Sequence, residues 1–547
     1  MSELVARLCK RLSELKAARN RLEPHWSECY RYAAPERQQS FIGDDVTDTR
    51  KTQRAELLDS TLSEATQLLV SSIISGTTPA NALWFKAVPN GVDDPAELTE
   101  GEKWLDEVCQ FIWRNIHGAN YDSEIFDLVL DCVVAGWGVM YADVDRHAGG
   151  GYVFQTWDIG QCYLASTRQD QKVDTLYREY EMTMAALVNE YGENKVSEKV
   201  RNTYKSKPDC KVKVLWVVEP RKTGYIKGDR QLMPKEMPFA SYHVEVDEKV
   251  ILRETGYNEF PFVIPRFRKI PNSVYGTGQV SIALPDAKTA NKLMRDTLRS
   301  AEISTLGMYA GVDDGTFNPR TVRLGGGKII VVNDVNSLKR IDDGKGYQVG
   351  VDLLAHLQGA IRKKMMADQL QPADGPAMTA TEVHVRVDLI RQQLGPLYGR
   401  WQAELLTPLL ERTFGLAYRA GVIGEAPEEM QGRNLSFKFI SALARSQQLE
   451  EVTAIERFLA GMSNVAQIDP SILDNVDMDA VAQVSGMGLG VPTAILRTQD
   501  QINAIRKQRQ EAQQQAAQQE QEQALAQPLA NAVGKGLESE LTSETRQ

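Results

Sequence analysis

The sequence predicts an α+β protein that is predominantly helical, and three observations predict it. Apolar residues recur at intervals of three and four through most of the first 136 residues and again over 279–303, 352–368 and 379–405. Between Gly138 and Pro265 the pattern changes to short alternating or β-branched runs, GVMYADVD, YVFQTWDI, DTLYREYEMT, VKVLWVVEP, FASYHVEVD and KVILRETG, separated by Gly, Asp and Lys turns. That is the signature of a mainly antiparallel sheet. The length of 547 residues is too great for one core, and at roughly 100 to 200 residues per domain it implies about three to five units.

Taken in order, Leu4, Leu8, Leu12, Leu15 and Leu22 predict an amphipathic helix over 2–22, with Pro24 following. The polar stretch PERQQSFIGDDVTDTR leads to a second helix over 52–75, marked by Leu57, Leu58, Leu62, Ala65, Leu68, Leu69 and Ile73 and stopped by Gly76 and Pro79. Helices near 99–117 and 122–136 carry Trp104, Phe111, Ile112, Phe126 and Leu130 on apolar faces. The β region that follows is interrupted by a helix around 183–191, and Gly149-Gly150-Gly151 reads as a hairpin link. A long helix runs from Gln279 to Ile303, residues 304–350 are turn-rich and β-like with LGGGKIIVVND as a hairpin candidate, and helix returns over 352–368. After the loop QLQPADGPAM, Thr379 and Glu382 form a capping box at the start of another helix. Pro396 and Pro408 fall inside its apolar period, so that helix is expected to be kinked or segmented. LSFKFIS over 435–441 reads as a strand, helices continue to about residue 500, and the tail holds nine Gln between Gln508 and Gln523, a solvated helix or disorder.

Composition narrows the function classes. Hydrophobic content of 42% and charged content of 25% are ordinary for a globular chain. Lys and Arg number 63 against 73 Asp and Glu, and a net charge of −10 argues against a general nucleic-acid binder. No apolar run approaches the ~18 residues of a spanning helix, and the N-terminus is charged throughout, so a soluble, unexported chain with no membrane association is expected. Cys9, Cys29, Cys109, Cys132, Cys162 and Cys210 have no metal-ligand spacing and suit reduced thiols. Gly325-Gly326-Gly327-Lys328 is followed by Ile329 rather than Ser or Thr, so it lacks the P-loop pattern. The six histidines are dispersed, no G-x-S-x-G is present, and Asp313-Asp314 and Asp342-Asp343 adjoin turn glycines. The expectation is therefore no catalytic residues, no metal and no cofactor.

The positive features are basic. Lys288, Lys292, Arg295 and Arg299 fall at offsets 0, 4, 7 and 11 of one helix, along a single face, beside an apolar face of Leu284, Ala287, Met294 and Leu298. Arg362, Lys363 and Lys364 cluster near the end of the later helix, where cations also complement the helix dipole.

Three strings in order, PFVIPRFRKIPNSVYGTGQVSIALPDAKTANKLMRDTLRSAE, MTATEVHVRVDLIRQQLGPLYGRWQAELLTPLLERTFGLAYRAGVI and FKFISALARSQQ, resemble the podovirus-type head-to-tail connector, or portal protein, of tailed bacteriophages. The resemblance implies a portal fold assembled as a ring, usually of twelve subunits, around a channel for double-stranded DNA at one capsid vertex. Mapped onto this chain it implies N-terminal helices and a β-rich wing over 1–278, stem helices over 279–303 and 351–368, and a clip over 304–350 between them. It further implies a tunnel loop over 369–378, a kinked wing helix and returning strand over 379–444, and a helical crown with its Gln-rich tail over 445–547. The loop would place Gln369, Gln371, Pro372, Asp374, Gly375, Pro376 and Met378 at the channel, its prolines and glycine combining restricted and permissive backbone. Implied partners are further copies of the chain, double-stranded DNA, the major capsid and scaffolding proteins, the terminase motor and tail adaptors. The implied place is the virion, after assembly in the host cytoplasm.

On this reading the protein passes DNA during packaging and ejection without gripping it. Duplex DNA carries about one phosphate per 1.7 Å of axis, so strong repeated attraction would stall it. A negative ring with a few inward cations, drawn from Lys288, Lys292, Arg295, Arg299, Arg362, Lys363 and Lys364, keeps contacts weak. Two rivals stand beside it: a DNA-packaging nuclease or NTPase, and a scaffold without a channel.

Overall fold

The computed structural model describes residues 2–37, 56–89, 100–145, 150–221, 233–306, 308–311, 338–341, 347–367, 395, 397–427, 435–439, 452–462, 476–488 and 502–514. Two compact units emerge, one of residues 1–84 with 112–423 and one of 85–111 with 424–547.

The larger unit is organised by a five-stranded antiparallel sheet in chain order, Cys162–Ala165, Thr175–Thr183, Lys211–Pro220, Phe239–Glu245 and Val250–Tyr257. Alternation along each strand gives the sheet two apolar faces. One is covered by the helix Ser2–Arg19, whose Val5, Leu8, Leu12 and Leu15 pack on Tyr163, Tyr177, Leu215, Val217, Tyr242 and Val244. That helix ends on Arg19, which donates to the carbonyls of Ile159, Gly160 and Cys162 at 2.9, 2.7 and 2.6 Å and lies over the Tyr163 ring. The other face takes Met184–Tyr191 and Glu198–Tyr204, through Leu187, Tyr191, Val196 and Val200. The first of these helices was legible at 183–191, where the Thr183 hydroxyl caps it by accepting from Ala186 N. The second was not, because seven residues carry too little periodicity to register.

A smaller sheet, ordered Tyr152–Trp157, Val139–Val144, Phe262–Val263, stands beside the first. Gly150 and Gly151, at φ 128° and 98°, turn the link between its first two strands. Trp157 meets Trp216 and Phe262 at 4.9 Å between ring centroids, and Tyr141 stacks on Trp157 at 5.5 Å, so aromatic rings join the two sheets.

Helices complete the unit. Pro24 does not merely end the first helix; it occupies the first turn of a second, Glu23–Ala33, where its missing N–H costs nothing. The helix expected over 52–75 is Thr61–Thr77, so Leu57 and Leu58 lie outside it and Gly76 within it. Asp59 explains the late start, since its carboxylate accepts from the Thr61 amide and hydroxyl. The second half of Tyr121–Val134, from Leu128 on, is wholly buried, and its C-terminal turn receives the segment Tyr275-Gly276-Thr277-Gly278. A Cβ on Gly276 would lie 2.2 Å from the Gly136 carbonyl oxygen, and one on Gly278 would lie 2.4 Å from that of Val133. Backbone packs directly on backbone here, and any side chain would force it apart.

Just before Pro408, where a kink or break is expected, the helix carries a π turn. Gln402–Leu406 is π-helical and runs into Thr407–Arg419. Proline lacks the amide that would bond the carbonyl four residues back, and its ring crowds that carbonyl. The helix widens instead, and Thr407 N donates to Gln402 O, five residues back. The turn is anchored by Glu404, which accepts from the Arg266 backbone amide and from Nε and Nη2 along one edge of its guanidinium. About two turns later the buried Arg412 donates to Ala142 O, Asp143 and Glu259.

In the smaller unit Phe85–Pro89 pairs antiparallel with Leu435–Phe439. The second strand was expected at 435–441; the first was missed, being five residues with little alternation. Ala87 N donates to Cys109 Sγ at 3.2 Å and Phe85 meets Phe437 edge to face. Met478–Gly488 is helical, as are 452–462 and 502–514, and Arg506 pairs with Asp479. The described part of the Gln-rich tail, 508–514, is thus helical.

Candidate nucleic-acid interface

The seven basic residues singled out in sequence sit on two antiparallel helices of the larger unit. Val280–Leu306 spans 27 residues, or about 40 Å at 1.5 Å per residue. Its companion, Tyr347–Lys364, starts earlier than the periodicity indicated and stops at Met365-Met366, where Met366 has φ 60°. Contacts at both ends define the pairing. Gln279 Nε2 donates to Lys364 O at 2.6 Å, Lys364 Nζ bonds Asp286, and at the far end Gly350 lies against Thr297. A Cβ at Gly350 would stand 2.8 Å from Thr297 Oγ1, so glycine sets how closely the helices approach.

The buried stripe of the first helix is Ala283, Leu284, Ala287, Ala290, Asn291 and Thr297. Asn291 fixes it laterally, accepting from Leu58 N at 2.8 Å and donating to Glu56 O at 3.2 Å. Leu298, expected on the apolar face, is 49% exposed. At 100° per residue the cations lie about a third of a turn from the centre of the buried stripe, and this is where Lys292, Arg295 and Arg299 are solvent-exposed. The cations are not equivalent. Lys288 pairs with Glu28 and Lys364 with Asp286. Lys292, Arg295, Arg299, Arg362 and Lys363 form no ion pair among the described residues, and all five are exposed. The hairpin therefore presents five free cations on two adjacent helices, and two more whose charge is locally answered. Asp296 is exposed on the same helix, which moderates the field.

The loop residues Gln369, Gln371, Pro372, Asp374, Gly375, Pro376 and Met378 lie outside the described residues, as does the hairpin candidate LGGGKIIVVND. Within 304–350, Met308–Gly311 pairs antiparallel with Leu338–Ile341.

The titratable groups elsewhere are structural in character. His243 is buried between Trp216 and Tyr191, shares a hydrogen bond with the Tyr191 hydroxyl through Nδ1 at 2.7 Å, and is held down at about 3 by burial and by Arg253. Burial pushes the Cys29 thiol up to about 11 and those of Cys109 and Cys162 to about 12, which leaves them poor nucleophiles. A cleft of about 270 Å³ lined by Lys172, Phe239, Phe260, Phe262, Pro408 and Glu411 also contains Glu259 and Glu404. Those two carboxylates are committed to Arg412, Arg419 and Arg266. Among the described residues no three His, Cys, Asp or Glu side chains are grouped to hold a metal, and no helix is long and apolar enough to cross a membrane.

Known proteins give the arrangement its context. Residues 5–496 match the family described as bacteriophage head to tail connecting protein. A probable portal protein of Bordetella phage BPP-1 is 26% identical over 534 residues, covering 92% of this chain and 91% of its own length. The portal protein of Salmonella phage epsilon15 is likewise 26% identical, over 92% of this chain and 90% of its own.

Proposed function

The chain belongs to the bacteriophage head to tail connecting protein family, and from that premise we propose that it is a portal protein whose copies close into a ring around double-stranded DNA. The observation that carries this is the family match over residues 5–496, joined by two portal relatives that align along nine-tenths of both chains. The ring has about twelve copies, stands at one capsid vertex of the virion after assembly in the host cytoplasm, and meets capsid and scaffolding proteins, the terminase motor and, later, tail adaptors. Packaging and ejection both pass through its channel, and the energy for packaging comes from the separate motor.

Within the ring the helical pair Val280–Leu306 and Tyr347–Lys364 acts as the stem, with Met308–Gly311 and Leu338–Ile341 in the clip beyond it. Lys292, Arg295, Arg299, Arg362 and Lys363 face the duplex, and Lys288 and Lys364 serve mainly inside the subunit. The tunnel loop is residues 369–378, and the π turn before Pro408 lets the wing helix change direction behind it. Repeated weak phosphate contacts centre the DNA while the net charge of −10 per copy opposes adhesion. Negative-stain imaging and native mass measurement of the purified chain test the assembly. A closed ring near twelve times 61.0 kDa is expected, and a monodisperse monomer overturns the reading.

A further inference from the structure

One cation of the five-stranded sheet has no close counter-charge among the described residues. Arg178 lies within the strand Thr175–Thr183, in register with Cys162 on one neighbour and Trp216 on the other. Its guanidinium carbon sits 4.1 Å from the Trp157 ring centroid and 4.4 Å from that of Tyr180, so two aromatic rings clamp the group. Nε donates to Gln161 Oε1 at 3.3 Å. Its two terminal nitrogens make no hydrogen bond and no ion pair among the described residues, although a guanidinium carries five donors. Arg178 is only partly buried, and the fully buried arginines are treated differently: Arg19, Arg266 and Arg412 each meet carboxylates and carbonyl oxygens. Nearby Arg253 is held by Glu190. Asp158 is near enough to influence Arg178 but lies beyond ion-pair distance, its carboxylate accepting the Gly160 amide. Burial lowers the Arg178 pKa from its usual value, the direction expected of a desolvated cation without a close counter-charge.

We propose that Arg178 is a carboxylate receptor, filled by an acidic side chain of a second copy of this chain. The clamp fixes the plane of the fork in advance, so both terminal N–H groups engage a planar carboxylate edge-on with little further loss of freedom. The charge balance selects a carboxylate over a phosphate, because one uncompensated positive charge is neutralised by one monoanion and no second free cation stands beside it among the described residues. The occupant is a copy because the chain carries 73 acidic against 63 basic side chains. A head-to-tail contact also presents a different face to each neighbour, so the acid need not lie near its own Arg178. The proposal rests on the ring reading above.

Sedimentation velocity of the full chain, with R178K and R178Q, over a range of protein concentrations tests it, with circular-dichroism melting run beside it. R178Q is expected to raise the concentration for half-assembly at least tenfold and R178K about threefold, with unchanged melting. Sodium acetate is expected to dissociate the parent ring more than sodium chloride of equal ionic strength. Where R178Q melts early, R178K decides alone, since it keeps the charge and loses the fork. Rings that form in both variants at the parent's concentration overturn this proposal and leave the portal reading intact. Equal effects of acetate and chloride overturn the carboxylate assignment. A parent that stays monomeric overturns the ring reading and this proposal with it.

Discussion

Replacing Glu404 by Gln is expected to weaken the larger unit by about 3 to 5 kcal/mol, the cost of breaking a buried ion pair from one side. The structure sets that scale. Arg266 and Glu404 are 4% and 15% exposed, so solvent screens the pair little. Glu404 accepts from Arg266 Nε at 3.0 Å, from Nη2 on the same edge of the guanidinium, and from the Arg266 backbone amide at 3.1 Å. Gln keeps the shape and one accepting oxygen, yet turns an amide NH2 toward the guanidinium in place of the second oxygen and leaves it, beside the Gln171 carbonyl at 3.1 Å, with no counter-charge. Removing both charges in E404Q/R266M relieves the stranded cation, so the double variant is expected to recover more than half of the loss. Urea unfolding read by tryptophan fluorescence measures this. With a slope of about 3 kcal/mol per molar, a loss of 3 kcal/mol moves the midpoint down by about 1 M. A shift below about 0.2 M for E404Q, or additive losses in the double variant, would refute the argument that this pair anchors the π turn.

The remaining predictions are as follows. Changing Lys292, Arg295, Arg299, Arg362 and Lys363 together to Gln is expected to flatten the salt dependence of duplex binding by the assembled ring, in proportion to the number of phosphates no longer neutralised, whereas K288Q with K364Q barely changes it; equal effects in a filter-binding titration would remove the distinction drawn from their ion pairs. His243 has a folded pKa of about 3 against an ordinary 6.5, so the unfolded chain binds its proton first and stability falls as pH drops below 6.5. Between pH 7 and 5 that linkage amounts to about 2 kcal/mol, and H243Q should lose this part of the pH dependence in urea titrations at the two values. Leu8→Ala removes a fully buried side chain from the helix-on-sheet face and should cost about 2 to 5 kcal/mol, measured by the same unfolding assay. Gly278→Ala forces a Cβ to within 2.4 Å of the Val133 carbonyl oxygen and is expected to cost more than about 1 to 3 kcal/mol, the usual range for overpacking; parent-like melting would show that this junction yields.

Local chemistry made much of this protein legible in its sequence. Helical and alternating periods separated the helices from the sheet, because each element buries one face and the period records which. A disturbed helix at Pro408 followed from a missing amide, and the four cations on one helix face followed from their offsets. The family strings could be read as strings, but the reason for their glycines lies in the structure. Gly276 and Gly278 are small because the backbone beyond them packs on the end of Tyr121–Val134, a contact between residues more than 130 positions apart.

Long-range pairing decided what local pattern could not. Phe85–Pro89 is a strand only because Leu435–Phe439 lies beside it, and five residues hold no independent signal of that. The sequence shows seven cations as equals, and tertiary contact divides them, since Glu28 and Asp286 reach Lys288 and Lys364 and leave five exposed. The same holds for Arg178, one residue in a β pattern until Trp157 and Tyr180 pack on its guanidinium without supplying a counter-charge. Period and composition are properties of neighbours along the chain, and they determined which elements form. Charge compensation is a property of neighbours in space, and only the fold could assign it.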